Sequence, residues 1–139
     1  MATKVRDIMT GSPTSFKPEI DIVTVARSMR DEDIGAVLVQ DDDRLHGLVT
    51  DRDLVVRGLA AGGDPAQAKV GDVCSDVTAS VGPDDSTDAA ARTMRERAVR
   101  RLPVIENGNV VGIVSLGDLA IEKDERSALA DISASTGNR

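Results

Sequence analysis

An internal repeat at a fixed offset of 65 residues constrains the fold more than any other feature of this sequence. Residues 47–54, Gly-Leu-Val-Thr-Asp-Arg-Asp-Leu, return as residues 112–119, Gly-Ile-Val-Ser-Leu-Gly-Asp-Leu. Two further pairs of segments share this offset: residues 5–9 with 70–74, and residues 26–30 with 91–95. Three segment pairs related without a gap indicate two copies of one structural unit.

Composition and charge narrow the class of protein. The chain has 139 residues, a formal net charge of −7 and one cysteine. This length suits one compact domain, or two small ones that share a core. We expect a cytoplasmic protein with no membrane partner, because no signal peptide, internal disulfide or membrane-length apolar run is recognisable. The negative charge argues against nucleic acid as a partner.

Arginine and aromatic residues limit the choice of ligand. Five arginines crowd one stretch of the second repeat, Arg92, Arg95, Arg97, Arg100 and Arg101. They form either a solvated helix face paired with Glu96 or a site for the phosphates of a small anion. Phe16 is the only aromatic residue. A bound base would therefore have to lie between aliphatic side chains rather than stack on an aromatic ring.

Hydrophobic spacing and turn residues predict the order β-α-β-β-α in each repeat. In the first repeat we expect a short strand at 14–16, a helix at 20–33, a hairpin of strands 35–39 and 45–49, and a helix from Thr50. In the second repeat we expect the matching helix, a hairpin of strands 102–105 and 110–114, and a helix from Ser115 to Leu129 or Ile132. Ile22, Ala26 and Met29 are predicted to form the buried stripe of the first long helix. Thr87, Ala91, Met94 and Ala98 are predicted to do so in the second.

The domain prediction follows the repeat. We expect a first repeat at 1–62, a linker at 63–69, a second repeat with its C-terminal helix at 70–132, and a frayed tail at 133–139. One repeat alone has too few residues to cover its sheet. The predicted fold class is therefore α/β (α+β), with the two repeats packed sheet to sheet as a pseudo-twofold pair.

The motif that ends each hairpin has two interpretations. Thr50 stands three residues before Asp53, and Ser115 stands three residues before Asp118. This spacing is typical of a capping box that stabilises a helix N-terminus by about 1 kcal/mol. The same hydroxyl and carboxylate, beside exposed N–H groups, could instead hold the phosphate and ribose of a nucleotide.

The whole pattern resembles the CBS (cystathionine-β-synthase-type) domain. The resemblance rests on Val-Arg-Asp-Ile-Met near the start, on the segments that precede each hairpin, and on Gly-h-x-Thr/Ser-x-x-Asp, where h is apolar. It covers residues 5–120 and identifies a tandem pair of such domains. It implies a stand-alone regulatory module, a homodimer, and clefts between the repeats that bind AMP, ADP, ATP or S-adenosylmethionine as a regulatory ligand, with no required cofactor. We expect its output to pass through a change in the dimer or through an unidentified protein partner.

The resemblance also implies a set of ligand-binding residues. Asp53 and Asp118 would hold ribose hydroxyls, Thr50 and Ser115 would hold phosphate or ribose, and Arg100 or Arg101 would pair with phosphate. The base would be faced by main-chain groups near Thr14, Phe16, Thr78 and Ser80, and lined by Val37, Leu102 and Pro103. The first repeat has Gly35 and Ala36 where the second has Arg100 and Arg101. We therefore expect unequal sites, with Arg52 as a substitute cation in the first.

Other polar residues are given structural roles. His46 is the only histidine, and Cys74, which aligns with Met9, is predicted to fill a small apolar space. We expect no metal site, and no enzyme activity, because no nucleophile lies near a recognisable base. The alternative function is a structural or interaction protein whose sites bind no nucleotide.

Overall fold

Two β-hairpins, each followed by a helix, form the framework of the protein. The computed structural model describes residues 3–42 and 44–123. The helices are α1 Val5–Ile8, α2 Ile22–Glu32, α3 Asp51–Asp53, α4 Val70–Val73, α5 Thr87–Arg97 and α6 Leu116–Lys123. The strands are β1 Thr10–Gly11, β2 Ser15–Phe16, β3 Ala36–Asp41, β4 Arg44–Thr50, β5 Arg101–Glu106 and β6 Asn109–Ser115. α3 continues into a π-helical turn, Leu54–Gly58, and a 3₁₀ turn, Leu59–Ala61; residues 51–61 are called the α3 segment below.

The first unit, residues 14–77, contains a three-stranded sheet in the order β2-β3-β4. β2 pairs with β3 in parallel, and β3 pairs with β4 as an antiparallel hairpin in which Val37 lies opposite Val49. Its core is aliphatic: Val25 of α2, Val37, Val39 and Val49 of the hairpin, and Val70 of α4 are fully buried. Alternation along β3 and β4 directs Val37, Val39 and Val49 towards α2.

The second unit, residues 3–13 and 78–123 among those described, contains a sheet in the order β1-β6-β5. β5 and β6 form the hairpin, and Asn107 and Gly108 at its turn both have positive φ, at 52° and 81°. Such a turn favours Asn-Gly, as the sequence indicates. The core again consists of small aliphatic residues, among them Val5, Ala90, Val104 and Val114.

Residues 3–13 pack with the second repeat rather than with the first. Val5, in α1, is fully buried in the core of the second unit. In the same way α4, which precedes the second repeat in sequence, belongs to the first unit and contributes Val70 and Val73 to its core. The two short helices are therefore exchanged relative to the repeat boundaries.

The predicted fold class is confirmed: each unit combines a small sheet with helices. The order β-α-β-β-α is present in the first repeat. In the second, the first strand is reduced to a parallel bridge between Val81 and Val104. The predicted helix end at Leu129 or Ile132 and the tail at 133–139 lie outside the described residues.

Two details of the predicted helix stripes are wrong. Ala26 and Ala98 are exposed, whereas Val25 and Ala90 are buried. α2 begins at Ile22 after its N-cap Asp21, so the inward positions are Ile22, Val25 and Met29 and Ala26 lies at the edge. Ala98 is the left-handed C-cap of α5 and points away from the core.

Candidate functional site

The strand register places each predicted site residue of the hairpin at the start of the following helix. In the first unit Ala36 of β3 pairs with Thr50, and the Asp51 N–H donates to the Gly35 carbonyl at 3.0 Å. In the second unit Arg101 of β5 pairs with Ser115, and the Leu116 N–H donates to the Arg100 carbonyl at 2.8 Å. We call the Thr50–Asp53 end the first site and the Ser115–Asp118 end, with Arg100 and Arg101, the second site.

Both sites contain a complete capping box. The Thr50 N–H donates to Asp53 Oδ2 at 3.0 Å, and the Asp53 N–H donates to Thr50 Oγ1 at 3.1 Å. The Ser115 N–H donates to Asp118 Oδ2 at 2.8 Å, and the Asp118 N–H donates to Ser115 Oγ at 3.1 Å. The capping interpretation of the motif is therefore confirmed. It does not exclude ligand binding, because each hydroxyl can still donate its own hydrogen.

The two sites differ in the N–H groups that remain at the helix start. In the first site the Arg52 N–H is taken by Asp51 Oδ1 at 2.8 Å. The second site has Leu116 in place of Asp51, and no side chain of the described residues accepts from the Gly117 N–H. A carboxylate beside a helix N-terminus competes with an anionic ligand for the same donors. The second site is therefore more open to an anion, a difference that the sequence interpretation missed.

The arginines strengthen this difference. The Arg101 side chain is half-buried beside Ser115, and that of Arg100 is exposed. Within the part of the chain that the structure describes, neither forms an ion pair. In the first site the corresponding residues carry no charge, and Arg52 is exposed on the α3 segment. The structure thus brings Arg101, Ser115 and Asp118 together at one strand end.

The residues predicted to face the base lie along β3 and β5, with varied exposure. The Thr14 carbonyl accepts from the Leu38 N–H at 2.9 Å, while its hydroxyl donates to Glu32 at 2.7 Å. Hydroxyl donation from Ser28 and Thr14 lowers the pKa of Glu32. Phe16 packs against the core of the first unit. Thr78 and Ser80 are exposed.

The side chains predicted to line the base, Val37, Leu102 and Pro103, are buried inside the two units. Val37 and Leu102 are 0% and 1% exposed and belong to the core clusters of their units. Pro103 is also buried, and its carbonyl accepts from the Val81 N–H at 3.1 Å. For Val37 and Leu102, the backbone rather than the side chain is the part that a ligand could reach.

The sequence interpretation also missed Arg57, which follows Asp53 by one helical turn. Its Nη1 donates to the Cys74 carbonyl at 3.1 Å and to Ser75 Oγ at 3.3 Å, and lies 3.5 Å from the Val73 carbonyl. The guanidinium therefore binds the C-terminal end of α4. Cys74 itself packs against the core, as predicted, and burial raises the pKa of its thiol.

Residues 3–42 and 44–123 lack both a metal-binding cluster and a membrane-spanning helix. This part of the chain holds no group of three His, Cys, Asp or Glu side chains suited to a metal ion. None of its helices has the length and apolar character needed to cross a bilayer. His46 is exposed on β4.

Comparison with known proteins identifies the family. The model of the CBS domain matches residues 5–58 and 70–124. Hypoxic response protein 1 of Mycobacterium tuberculosis is 40% identical over 133 residues, which cover 95% of this chain and 93% of that protein. The segment at residues 41–62 predicts a resemblance to the hypoxic response protein type, and the match over most of the chain confirms it.

Solved structures agree with this assignment. A crystal structure of hypoxic response protein I with two coordinated zinc ions has 42% identity and a TM-score of 0.74, and the match covers 85% of this chain and 97% of that one. The CBS domain pair of protein MJ0100, solved with 5'-methylthioadenosine and S-adenosyl-L-methionine, shares the fold with a TM-score of 0.79 at 22% identity, over 91% and 100% of the two chains. The protein therefore belongs to the CBS-domain family and carries two CBS domains in tandem.

Proposed function

We propose that this protein is a non-catalytic regulatory module that binds an adenosine-containing ligand, and that the second site is the stronger of its two sites. The observation that carries the proposal is the pairing of Arg101 with Ser115, next to the N–H of Gly117 at the start of α6. A hydroxyl, a cation and an N–H group at one helix N-terminus form a suitable set for a phosphate.

Each residue of the second site has a role in this proposal. The Ser115 hydroxyl and the Gly117 N–H donate to a phosphate oxygen, and Arg101 neutralises its charge. Asp118 accepts from the ribose hydroxyls through the carboxylate that also caps α6. Main-chain groups near Thr78 and Ser80, which come just before the bridge between Val81 and β5, face the base. AMP, ADP, ATP and S-adenosylmethionine remain the candidates.

The first site is proposed to prefer a less anionic ligand. Asp51 places a carboxylate at the helix start and already accepts the Arg52 N–H. Ala36 stands where Arg101 stands in the second site. Arg52 is the cation available to compensate. Asp53 still has one carboxylate oxygen, Oδ1, without a hydrogen bond to the described residues, which suits a neutral ribose better than a phosphate.

Isothermal titration calorimetry with AMP, ADP, ATP and S-adenosylmethionine tests the proposal. We expect Arg101→Ala to weaken binding of a phosphate-containing ligand about tenfold or more, since a hydrogen bond to a charged group contributes about 1.5–3 kcal/mol. Arg101→Lys should retain part of the affinity. Ala36→Arg, at the matching position of the first site, should raise the affinity of that site.

Two results would contradict the proposal. If none of the four ligands binds the wild type at sub-millimolar concentration, the alternative function, an interaction protein with sites that bind no nucleotide, is supported. If binding persists unchanged in Asp118→Asn and Arg101→Ala, the ligand lies elsewhere. Asp118→Asn keeps a side chain that can cap α6, so a loss of affinity is separable from a loss of folding.

The output of the module is proposed to pass through a homodimer. Val55, Val56 and Leu59 of the α3 segment are 56%, 47% and 56% exposed. They border an apolar groove of about 430 Å³ between α2 and the α3 segment, with Arg27 on the α2 side and Asp51 on the other. A twofold axis would place α2 of one molecule against the α3 segment of the other, so that Arg27 of each faces Asp51 of its partner.

A further inference from the structure

Glu32, the last residue of α2, links that helix to the start of β2. Thr14 Oγ1 donates to Glu32 Oε1 at 2.7 Å, and Ser28 Oγ donates to Glu32 Oε2 at 2.5 Å. Thr14 lies 18 residues before Glu32, so this bond joins two separate elements. Because donation from Ser28 and Thr14 lowers the pKa of Glu32, the carboxylate is ionised at neutral pH and accepts from both hydroxyls.

The backbone of Thr14 is held as well as its side chain. The Thr14 carbonyl accepts from the Leu38 N–H of β3 at 2.9 Å. Ser15, the next residue, lies opposite Leu38 in this parallel pair and is exposed. Since the main-chain groups of successive strand residues point to opposite sides, the Ser15 N–H and carbonyl point away from β3, at the edge of the sheet β2-β3-β4. Thr14 therefore fixes the direction of one donor and one acceptor.

Strand register places this edge close to the first site. Leu38 lies two residues from Ala36 along β3, and Ala36 pairs with Thr50. Proteins read an unpaired base by hydrogen bonds to its Watson–Crick edge. On that edge adenine has an acceptor at N1 and a donor at its N6 amino group. The Ser15 N–H and carbonyl form the complementary pair.

The second repeat lacks both bonds that hold Thr14. α2 and α5 are each 11 residues long and align at the offset of 65, as do β3 and β5. The residues that stand at the positions of the three bonding partners are Ala79 for Thr14, Arg97 for Glu32 and Pro103 for Leu38. Alanine has no hydroxyl, arginine has no acceptor, and proline has no N–H. Neither bond therefore has a counterpart in the second unit.

We propose that Glu32 is a positioning residue of the first site, which holds Thr14 so that the Ser15 N–H and carbonyl are fixed for the Watson–Crick edge of an adenine. Glu32 does not touch the ligand and acts through Thr14. The inference rests on the proposed function, because it assigns the base contact of one of the two sites. It adds a division of roles: the first site selects the base, whereas the second site gains its affinity from the phosphate.

Amide hydrogen exchange followed by NMR tests the positioning without a ligand. In Glu32→Ala the Leu38 amide should exchange about three times faster than in the wild type, or more, because its acceptor residue Thr14 is released. The Ile105 amide donates to the Val81 carbonyl in the second unit at 2.8 Å. Its exchange should not change, which makes it the internal control for global stability.

Three further variants separate the bridge from other effects of the substitution. Thr14→Val removes the hydroxyl, keeps the shape of the side chain, and should reproduce the effect of Glu32→Ala. Glu32→Gln keeps one acceptor oxygen and should retain part of the protection of the Leu38 amide. Asp31→Ala removes the neighbouring carboxylate, which accepts from Arg30, and should behave as the wild type.

NMR titration with adenosine and inosine reports the two sites separately, through the amides of Ser15 and of its counterpart Ser80. Inosine has a donor at N1 and a carbonyl in place of the amino group, so it does not match Ser15. The wild type should prefer adenosine at Ser15, since a site built for one hydrogen-bonding pattern rejects another. Glu32→Ala should weaken this adenosine affinity about three- to tenfold and reduce the preference. The affinity reported by Ser80 should not change.

Three results would overturn the role of Glu32. They are unchanged Leu38 exchange in Glu32→Ala, an equal loss of adenosine affinity at Ser15 and Ser80, and the absence of any adenosine-induced shift at Ser15 in the wild type. Failure of the proposed function is seen separately, because it requires that AMP, ADP, ATP and S-adenosylmethionine shift neither Ser15 nor Ser80. A nucleotide that shifts Ser80 alone would leave the proposed function standing and overturn only this inference.

Discussion

Gly47 and Gly112 allow the segments that follow α4 and α1 to pack directly against the two hairpins. A Cβ atom on Gly47 would lie 2.5 Å from the Ser75 carbonyl oxygen and 2.8 Å from Cys74 Sγ. On Gly112 it would lie 2.5 Å from Met9 Sδ and 2.9 Å from the Thr10 carbonyl oxygen. In each case a backbone oxygen blocks the side chain, so the absence of a side chain is required for the close approach.

Gly47→Ala should destabilise the protein by about 1–3 kcal/mol, the usual cost of overpacking a well-packed position. Gly11→Ala is the matched control, because a Cβ there meets nothing within 4 Å. That change should stay within about 0.5 kcal/mol of the wild type. Urea unfolding followed by circular dichroism measures both. Equal stability of the two variants would contradict the close approach at Gly47.

At the residue scale, the sequence predicts groups that are near each other in the chain. The pairs Thr50–Asp53 and Ser115–Asp118 follow from a spacing of three residues, and both capping boxes are confirmed. The bonds of Arg57 could not be predicted in this way. Its partners lie 16 to 18 residues away on α4 and beyond, and only the tertiary fold brings them together.

At the scale of elements, the two long helices begin with equivalent caps of different chemistry. The Asp21 carboxylate accepts from the Thr24 N–H at 3.0 Å and from the Thr24 hydroxyl at 2.7 Å. Ser86 accepts from the Ala89 N–H at 3.1 Å. Donation from the Thr24 side chain and backbone lowers the pKa of Asp21. α2 therefore has a start that is sensitive to pH, whereas the cap of α5 does not titrate.

Asp21→Asn should reduce the acid sensitivity of the protein. A carboxyl whose folded pKa is lowered contributes stability above its unfolded pKa of about 3.9, and this contribution is lost as the pH falls through the folded value. Asparagine caps a helix about as well as aspartate, so stability at neutral pH should change little. Urea unfolding as a function of pH below about 5 measures the slope. Ser86→Asn, the matched control, should leave that slope unchanged; equal slopes for wild type and Asp21→Asn would contradict the role of Asp21.

The hairpins and their following helices are the elements that the sequence predicts best, because strand alternation and the Asn-Gly turn are local signals. The π-helical turn Leu54–Gly58 was not predicted. Gly58 lies against α2, where a Cβ would come within 2.8 Å of Ile22 Cδ1. A wide turn that packs against a second helix has no signature in local spacing. The reduced first strand of the second repeat likewise depends on tertiary pairing, between Val81 and Val104.

At the scale of the whole molecule, the exposed apolar face of the α3 segment predicts self-association. Leu59→Asp should convert a dimer to a monomer in size-exclusion chromatography with light scattering, because it places a charge in the apolar interface. Gln67→Glu is the matched control, since Gln67 is exposed but does not line the groove. A monomeric wild type, or a Leu59→Asp dimer of unchanged affinity, would contradict the proposed interface.

The family assignment and the fold class could be predicted from the repeat, since a duplicated pattern over most of the chain is a global signal. Which segments of the chain make up each of the two units could not be predicted from the sequence. The duplicated segments 5–9 and 70–74 mark α1 and α4 as equivalent, but equivalence in sequence does not reveal which hairpin each one joins.

The exchange of α1 and α4 has a consequence for biosynthesis. Residues 14–77 form one unit from a continuous stretch, so this unit can fold on the ribosome as soon as α4 has emerged. The second unit, in contrast, needs both its earliest and its latest described residues, since Val5 is buried with Val104 and Leu119. α1 therefore emerges before the other described elements but is packed last, and until then its apolar residues stay unburied.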